Sequence, residues 1–382
     1  MVPEAVLIVP RRNNGPIIKL DIDPMTRFGT ALSIQYTGFG ATRELETFLL
    51  WNKARDLDDF IEGLQYFDFG SQNFIYTDVH GTIAYFTSGE MPIREDLQAV
   101  SPPDRLPPGQ LPPYFIRNGT GGNEWLRVLN PQPQQALKFE ILPFAEMPQT
   151  VNPPAGYIIN ANNDPIGNTL DNDPLNDPRP GGRIFYLNQG YAIGTRAGRI
   201  TQLLEAKILA GNLTLKDMQE IQADVVMLDA QVFTPHILRA FDNAVAGGAI
   251  SALASPASDP RVEEAVKRLA DWDYSTPTGI IEGYDASDEN GRRFAPTEEE
   301  VAASVAATIY SVWRSQFIKN TIDATLTSVG LIDFKPDSGR TMTALRNLLD
   351  NFDTNSGFGV SGLNFFNVPG VTDAEDRRDI LI

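Results

Sequence analysis

The sequence predicts an α+β protein, and three observations support that class. Short β-rich segments separated by Asn, Gly and Pro fill the first part of the chain, whereas segments with helical spacing predominate after Tyr191. The 382 residues, 42% of them hydrophobic, can bury a sizeable core. We therefore expect a sheet-containing portion over residues 1–195, a mainly helical portion over 196–355 and a returning C-terminal segment over 356–382. The three portions would form one continuous structural unit.

Six runs of strand-forming residues bounded by turn residues predict strands in the first part of the chain. They are Ala5–Val9, Pro16–Asp21, Ala31–Tyr36, Asn73–Thr77, Thr82–Thr87 and Gly156–Asn162. The fourth and fifth runs are joined by a short turn, which predicts a β-hairpin. Between residues 88 and 155, dense prolines and glycines exclude a continuous helix, so we expect an ordered, winding loop region there.

Apolar residues that recur every three or four positions predict the helices. These positions lie over Leu45–Phe67, after Tyr191, and over residues 228–246, 260–271, 297–319 and 340–352. A further helix begins near Ala374. Thr214, three residues before Asp217, predicts an N-terminal cap.

Composition excludes several kinds of partner and chemistry. The net charge of −18 repels phosphate backbones, and no apolar run approaches eighteen residues, so we expect neither a nucleic-acid partner nor a membrane span. The first residues lack the basic start of a signal peptide. Cysteine is absent, which rules out disulfides and thiolate catalysis. We interpret the two histidines, His80 and His236, as structural, so hydrolytic chemistry here must do without histidine.

One loop has the composition of a calcium ligand segment. Asn168, Asp171, Asp173 and Asp177 place several oxygen ligands in a short flexible stretch. The glycine and terminal Glu of an EF-hand are missing. A solvated, turn-rich loop remains the alternative interpretation.

Several segments, in their order and spacing, resemble the β-chain of penicillin acylases, which are N-terminal nucleophile hydrolases. The segments are Asn14-Gly-Pro-Ile, Asn73–Arg94, Gly119–Trp125, Asn152–Pro165, Arg196–Glu205 and Leu213–Val225. The resemblance implies a partial four-layer αββα core with a large helical region, truncated at both ends. It also implies hydrolysis of a linear amide, such as the acyl side chain of a β-lactam antibiotic, an acyl-homoserine lactone or a lipopeptide.

The resemblance also implies roles for two residues. In the family an N-terminal Ser attacks the amide and its own α-amino group is the base, which suits a chain poor in histidine. The oxyanion asparagine falls on Asn162, which could alternatively begin the turn into Asp164-Pro165. The arginine near the nucleophile falls on Arg196, for which a salt bridge at a helix start is the alternative.

A structural Ca²⁺ is the cofactor that the resemblance implies. One carboxylate ligand would be Asp173 and one backbone carbonyl ligand Pro113. The remaining calcium ligands, the nucleophile and the second oxyanion donor would all lie upstream of this chain. We therefore expect the chain alone to be inactive and to need the missing α-chain and N-terminal β-chain segment, supplied by a split gene or lost from a partial one. By resemblance, the enzyme is periplasmic or secreted.

Two other functions stay open. The chain could be a non-catalytic relative that binds acyl groups in a cleft lined by Phe and Tyr. It could also be an acidic Ca²⁺-binding protein that uses the loop over residues 163–182.

Overall fold

The computed structural model describes residues 11–12, 15–102, 104–246, 257–278, 288 and 293–382. It divides the chain into two compact units, Met1–Tyr191 and Ala192–Ile382. The strand predicted at Ala5–Val9 lies outside the described residues. None of the helices in the described ranges combines the length and hydrophobicity that a bilayer span requires.

The first unit contains two three-stranded antiparallel sheets. One sheet has the order β1 (Arg11–Arg12), β2 (Gly15–Ile22), β3 (Gly29–Ser33), and the other has the order β4 (Gln72–Thr77), β5 (Ile83–Ser88), β6 (Gln149–Val151). The predicted strand at Pro16–Asp21 and the predicted hairpin are confirmed, while the strand predicted at Ala31–Tyr36 begins and ends earlier. Asp78 closes the hairpin turn, because its Oδ1 accepts the N–H groups of His80 and Thr82 at 2.8 and 3.0 Å.

Within the described part of the first unit there are also three helices, α1 (Glu44–Trp51), α2 (Leu57–Leu64) and α3 (Glu95–Gln98). The predicted helical stretch at Leu45–Phe67 is therefore two helices. It breaks where Asp56 caps α2 by accepting the Asp59 N–H at 3.0 Å. Short 3₁₀ turns occur at Thr37–Phe39 and Phe144–Glu146.

Helices α1 and α2 pack on the second sheet through aromatic side chains. Leu64 and Phe86 are almost fully buried there. The Trp51 ring stacks on Phe60 with centroids 4.8 Å apart and meets Phe74 edge-on. This core fixes the hairpin β4–β5 as a rigid support for the loops that follow.

The Pro-rich region, described over residues 88–102 and 104–155, is ordered and irregular, as predicted. Isolated antiparallel bridges hold it together, among them Arg94 with Trp125 and Arg127 with Phe139. The strand predicted at Gly156–Asn162 is wrong, because no strand occurs at those positions of the described chain. The β-forming residues are there, but a strand also needs a hydrogen-bonded neighbour.

The second unit is helical, and the helices predicted for it are confirmed. The helices of the described residues are α4 (Thr195–Ala210), α5 (Leu215–Gln222), α6 (Leu228–Val245), α7 (Pro260–Ala270), α8 (Glu298–Ile318), α9 (Ala324–Ser328), α10 (Ser338–Asp350), α11 (Phe352–Asn355) and α12 (Ala374–Leu381). The sequence did not predict the short helices α9 and α11. A π-helical turn at Lys319–Asp323 joins α8 to α9, and a 3₁₀ turn lies at Ile332–Phe334. The predicted capping box of Thr214 and Asp217 begins α5.

The core of the second unit is built mainly from aromatic and leucine side chains. Phe233, Tyr310, Phe317, Leu345 and Phe366 are at most 2% exposed and belong to one cluster. Helices α6, α8 and α10 each contribute a buried stripe to that cluster.

Candidate active site

Asn162 lies in a tight turn of asparagines in the first unit. Its backbone φ is +58°, in the left-handed region that asparagine tolerates better than most residues. The Asn162 N–H donates to the side-chain oxygen of Asn160 at 2.9 Å, and the Ala161 N–H donates to the side-chain oxygen of Asn163 at 3.0 Å. These bonds fix the backbone, while Asn162 itself is exposed.

Side chains of the hairpin β4–β5 support this asparagine turn. Asn73 on β4 approaches the Asn160 side-chain oxygen with its Nδ2 at 3.5 Å. Thr87 on β5 donates to the Asn73 side-chain oxygen at 2.9 Å and also pairs with the Tyr85 hydroxyl at 3.1 Å. A chain of side-chain contacts therefore links two strands of the sheet to the turn that carries Asn162.

The loop after the turn is anchored by Asp164. Its carboxylate accepts the backbone N–H groups of Ile166, Gly167 and Thr169 and also the Thr169 hydroxyl, at 2.6–3.1 Å. Partial burial raises the pKa of Asp164, but the hydrogen bonds outweigh that effect and hold its pKa below the ordinary value. Asp164 therefore stays ionised and fixes the loop.

Tyr191, at the end of the first unit, keeps a neutral hydroxyl. Burial raises its pKa above the ordinary value, and the nearby charge of Asp164 adds to the rise. The phenol is thus a hydrogen-bonding group and not a base at neutral pH.

Arg196 belongs to the second unit, where it is the second residue of α4 and is exposed. The predicted alternative for it was a salt bridge at a helix start. One such bridge is made by Arg199, one turn further on, whose guanidinium binds both carboxylate oxygens of Asp224 at 2.7–2.8 Å. This fork ties the first turns of α4 to the chain after α5. Asn162 and Arg196 are each positioned within their own unit, and their catalytic roles stay predictions.

The two predicted calcium ligands, Asp173 and Pro113, have neighbours that do not form a calcium site. Asp173 pairs with Arg105, whose Nη1 lies 3.1 Å from its Oδ2, and its Oδ1 accepts the Leu175 N–H at 3.2 Å. Pro113 lines a cavity whose wall also includes Arg94 and Arg117. Within the described ranges, no group of three or more acidic, His or Cys side chains could hold a metal ion. The residues present do not form the oxygen cage that Ca²⁺ needs, and calcium stays a prediction.

Sequence reasoning overlooked the residues that orient Asn162. Asn73 and Asn160 both lie in segments that carry the resemblance, but a pattern of residue types does not say which side chains meet. One signal was available: asparagines at alternate positions favour side-chain-to-backbone turns.

The comparison with known proteins is consistent with these observations. The sequence profile of the penicillin amidase family, the family of the penicillin acylases, matches residues 3–382. The chain belongs to the penicillin amidase family. Enzymes of this family are hydrolases that act on amide bonds.

A thermostable penicillin G acylase from Alcaligenes faecalis is similar in structure, with a TM-score of 0.54 and 18% sequence identity. The match covers 97% of this chain and 55% of that acylase, so the chain spans little more than half of its length. At this identity the likeness shows the fold alone. The predicted α+β class is confirmed, and the fold is that of an N-terminal nucleophile hydrolase.

Proposed function

We propose that this chain is the substrate-side part of an amidohydrolase that cleaves a linear amide, namely the acyl amide of a β-lactam, an acyl-homoserine lactone or a lipopeptide. The observation that carries the proposal is the exposed Asn162, held in a braced left-handed turn. An amide N–H on a rigid turn can stabilise the oxyanion that forms on the attacked carbonyl. In this proposal Asn162 is one oxyanion donor.

The nucleophile is an N-terminal Ser contributed by polypeptide outside these 382 residues. Its hydroxyl attacks the amide carbon, and its own α-amino group takes the proton and returns it to the leaving amine. Water then hydrolyses the acyl-enzyme. The guanidinium of Arg196 lowers the pKa of that amine and so keeps it neutral. In this proposal the 382 residues alone have no activity.

Exposed apolar side chains support the need for further polypeptide. On β2, Leu20 and Ile22 are 49–55% exposed, and Phe28 at the turn is 82% exposed. On α1, Leu45 is 84% exposed. Large exposed apolar side chains that cluster on one strand typically mark an interface. In this proposal the α-chain and the N-terminal β-chain segment cover these exposed side chains.

Two finer points belong to the same proposal. Such an enzyme works in the periplasm or outside the cell. A structural Ca²⁺ would use Asp173 and the Pro113 carbonyl together with ligands from the other polypeptide, and no chemical step depends on it.

The test begins with the affinity-tagged protein purified from its own cells. We expect a second polypeptide with an N-terminal Ser to copurify, and the complex to hydrolyse phenylacetyl-4-nitroanilide, a chromogenic amide. The chain expressed alone should not hydrolyse it. Turnover by the chain alone would overturn the external nucleophile. Absence of both a partner and turnover would overturn the enzymatic proposal.

Asn162→Asp in the active complex tests the oxyanion role, because it removes the N–H donor and keeps the size and backbone preference. We expect kcat to fall by about 100- to 1,000-fold, as is typical when one oxyanion donor is lost. Asn172, with φ of +66° and an exposed side chain, is the matched control. Asn172→Asp should leave kcat unchanged. Equal effects of the two substitutions would contradict the assignment.

A further inference from the structure

A cavity of about 560 Å³ lies within the first unit, away from the asparagine turn. Ile18 and Ile34 and the segment Pro113–Gly119 form its apolar and polar walls, and Glu124 and Trp125 complete them. Its size falls in the range of sites for small molecules, and its lining combines apolar side chains with a few charged ones.

Arg94 gives this cavity a cation without a matching anion. Its guanidinium lies over the Tyr186 ring, 5.2 Å from the centroid, and one nitrogen donates weakly to the Pro92 carbonyl at 3.4 Å. Within the described residues no carboxylate lies within 4 Å of it. Burial lowers the pKa of Arg94, and the like charge of Arg117 also lowers it, while the charge of Asp96 opposes the fall. Its other N–H groups can serve a ligand.

The second arginine of the wall, Arg117, is already engaged. Its Nη1 lies 2.5 Å from Oδ2 of Asp96, whose side chain is fully buried, and its Nη2 donates to the Asn123 carbonyl at 3.1 Å. Arg117 and Asp96 form an ion pair with each other, so Arg94 is the arginine of this wall whose charge is available to a ligand.

The same cavity also has a carboxylate oxygen without a hydrogen bond. Glu124 lines the cavity, and its Oε2 is buried with no partner. A buried carboxylate oxygen without a donor costs free energy, which a ligand ammonium group would recover. A simple anion would satisfy Arg94 but would be repelled by Glu124.

We propose that this cavity binds a small zwitterion, namely an α-amino acid with an apolar side chain. The ligand carboxylate accepts hydrogen bonds from Arg94, and its ammonium group donates to Glu124. The apolar side chain packs against Trp125 and the isoleucines of the wall. This site is independent of the amide hydrolysis proposed above.

Three matched probes separate the two charges: phenylalanine, 3-phenylpropanoate, which lacks the amine, and phenethylamine, which lacks the carboxylate. Calorimetric titration of the 382-residue chain should give phenylalanine at least tenfold higher affinity than either analogue. Arg94→Met should weaken phenylalanine and 3-phenylpropanoate at least tenfold and leave phenethylamine unaffected. Glu124→Gln should weaken phenylalanine and phenethylamine and strengthen 3-phenylpropanoate, because the carboxylate that repels this anion is gone.

Arg127→Met is the control, because Arg127 is an exposed arginine of the same loop region that does not line the cavity. Circular dichroism confirms that each variant is folded, and the opposite selectivities of the Arg94 and Glu124 variants cannot come from unfolding. Equal affinity for the three probes, or no binding of phenylalanine, would overturn the proposal. So would an effect of Arg94→Met no larger than that of Arg127→Met.

Discussion

The backbone N–H of Asn162 is held by the side-chain oxygen of Asn160 at 2.9 Å, and this bond fixes the left-handed turn at the candidate oxyanion residue. The same oxygen lies 3.5 Å from Nδ2 of Asn73 on strand β4. Asn160 therefore connects the turn at Asn162 to the sheet. A positioned amide stabilises a developing charge better than a mobile one, since no reorganisation is needed at the moment of reaction.

We predict that Asn160→Ala lowers the free energy of unfolding by about 1 kcal/mol, the usual net value of one hydrogen bond. Asn160→Asp retains the accepting oxygen and should lose less. In the active complex, Asn160→Ala should also lower kcat, although Asn160 does not contact the substrate in our proposal. Urea unfolding and steady-state kinetics measure the two effects. Equal stability of the Ala and Asp variants would contradict the role of this bond.

In the helical unit we predict that substitutions in the polar cluster of Asp229, Tyr310 and Arg314 lower the free energy of unfolding by different amounts. The Tyr310 hydroxyl donates to Oδ2 of Asp229 at 3.2 Å, and Arg314 binds the same oxygen at 2.9 Å. Tyr310→Phe removes one hydrogen bond and should cost about 0.5–1.5 kcal/mol. Asp229→Ala leaves a fully buried hydroxyl without an acceptor and removes the partner of a half-exposed arginine, so we expect a loss of about 1–3 kcal/mol.

Combining the two changes tests that explanation. In Asp229→Ala the Tyr310 hydroxyl is unsatisfied, so adding Tyr310→Phe should recover part of the lost stability, because the unpaired buried group is then gone. Guanidinium unfolding of the two single variants and the double variant measures the coupling. Strictly additive losses would contradict it.

Local signals in the sequence predicted much of the fold. The capping box at Thr214 and Asp217 and the hairpin around Asp78 depend on residues within a few positions of each other, so their sequence patterns were enough. The strand expected at Gly156–Asn162 failed for the opposite reason. Strand formation depends on a neighbouring strand that can come from anywhere in the sequence, and residue types do not specify that neighbour.

The candidate site likewise contains residues that could be predicted from local sequence and contacts that could not. Asn162 and Arg196 could be named from a resemblance that uses short segments. The support of Asn162, however, depends on a contact between Asn73 and Asn160, which are 87 positions apart. The cavity of Arg94 was not predicted at all. It depends on the pair of Arg117 with Asp96, 21 positions apart across a Pro-rich loop without regular structure.

We predict a pH-dependent contribution from the cap of α5. The Thr214 hydroxyl and the Lys207 ammonium group hold the pKa of Asp217 well below its ordinary value. A carboxyl with a depressed folded-state pKa stabilises the fold above the unfolded pKa of about 3.9, and the effect is lost as the pH falls through the folded-state pKa. Asp217→Asn should therefore lower Tm at pH 7, and the Tm difference from the wild type should narrow as the pH falls below about 4.

Thr214→Ser is the control for that experiment, because it keeps the hydroxyl that donates to Asp217 and should retain the pH dependence. Thermal melts followed by circular dichroism between neutral and acidic pH measure the Tm values. A Tm difference between the wild type and Asp217→Asn that does not change with pH would contradict a titrating carboxylate as its source.

The expected Ca²⁺ site leads to a prediction about the charge of Arg105. The guanidinium of Arg105, 3.1 Å from Oδ2 of Asp173, competes with any cation for that carboxylate. If Ca²⁺ binds through Asp173, then Arg105→Gln should give a larger calcium-dependent rise in Tm than the wild type, because the competing charge is gone. A free Ca²⁺ concentration of about 100 times the Kd adds about 2.7 kcal/mol to the free energy of unfolding. Asp173→Asn should abolish the rise, and an undiminished rise in that variant would exclude Asp173 as a ligand.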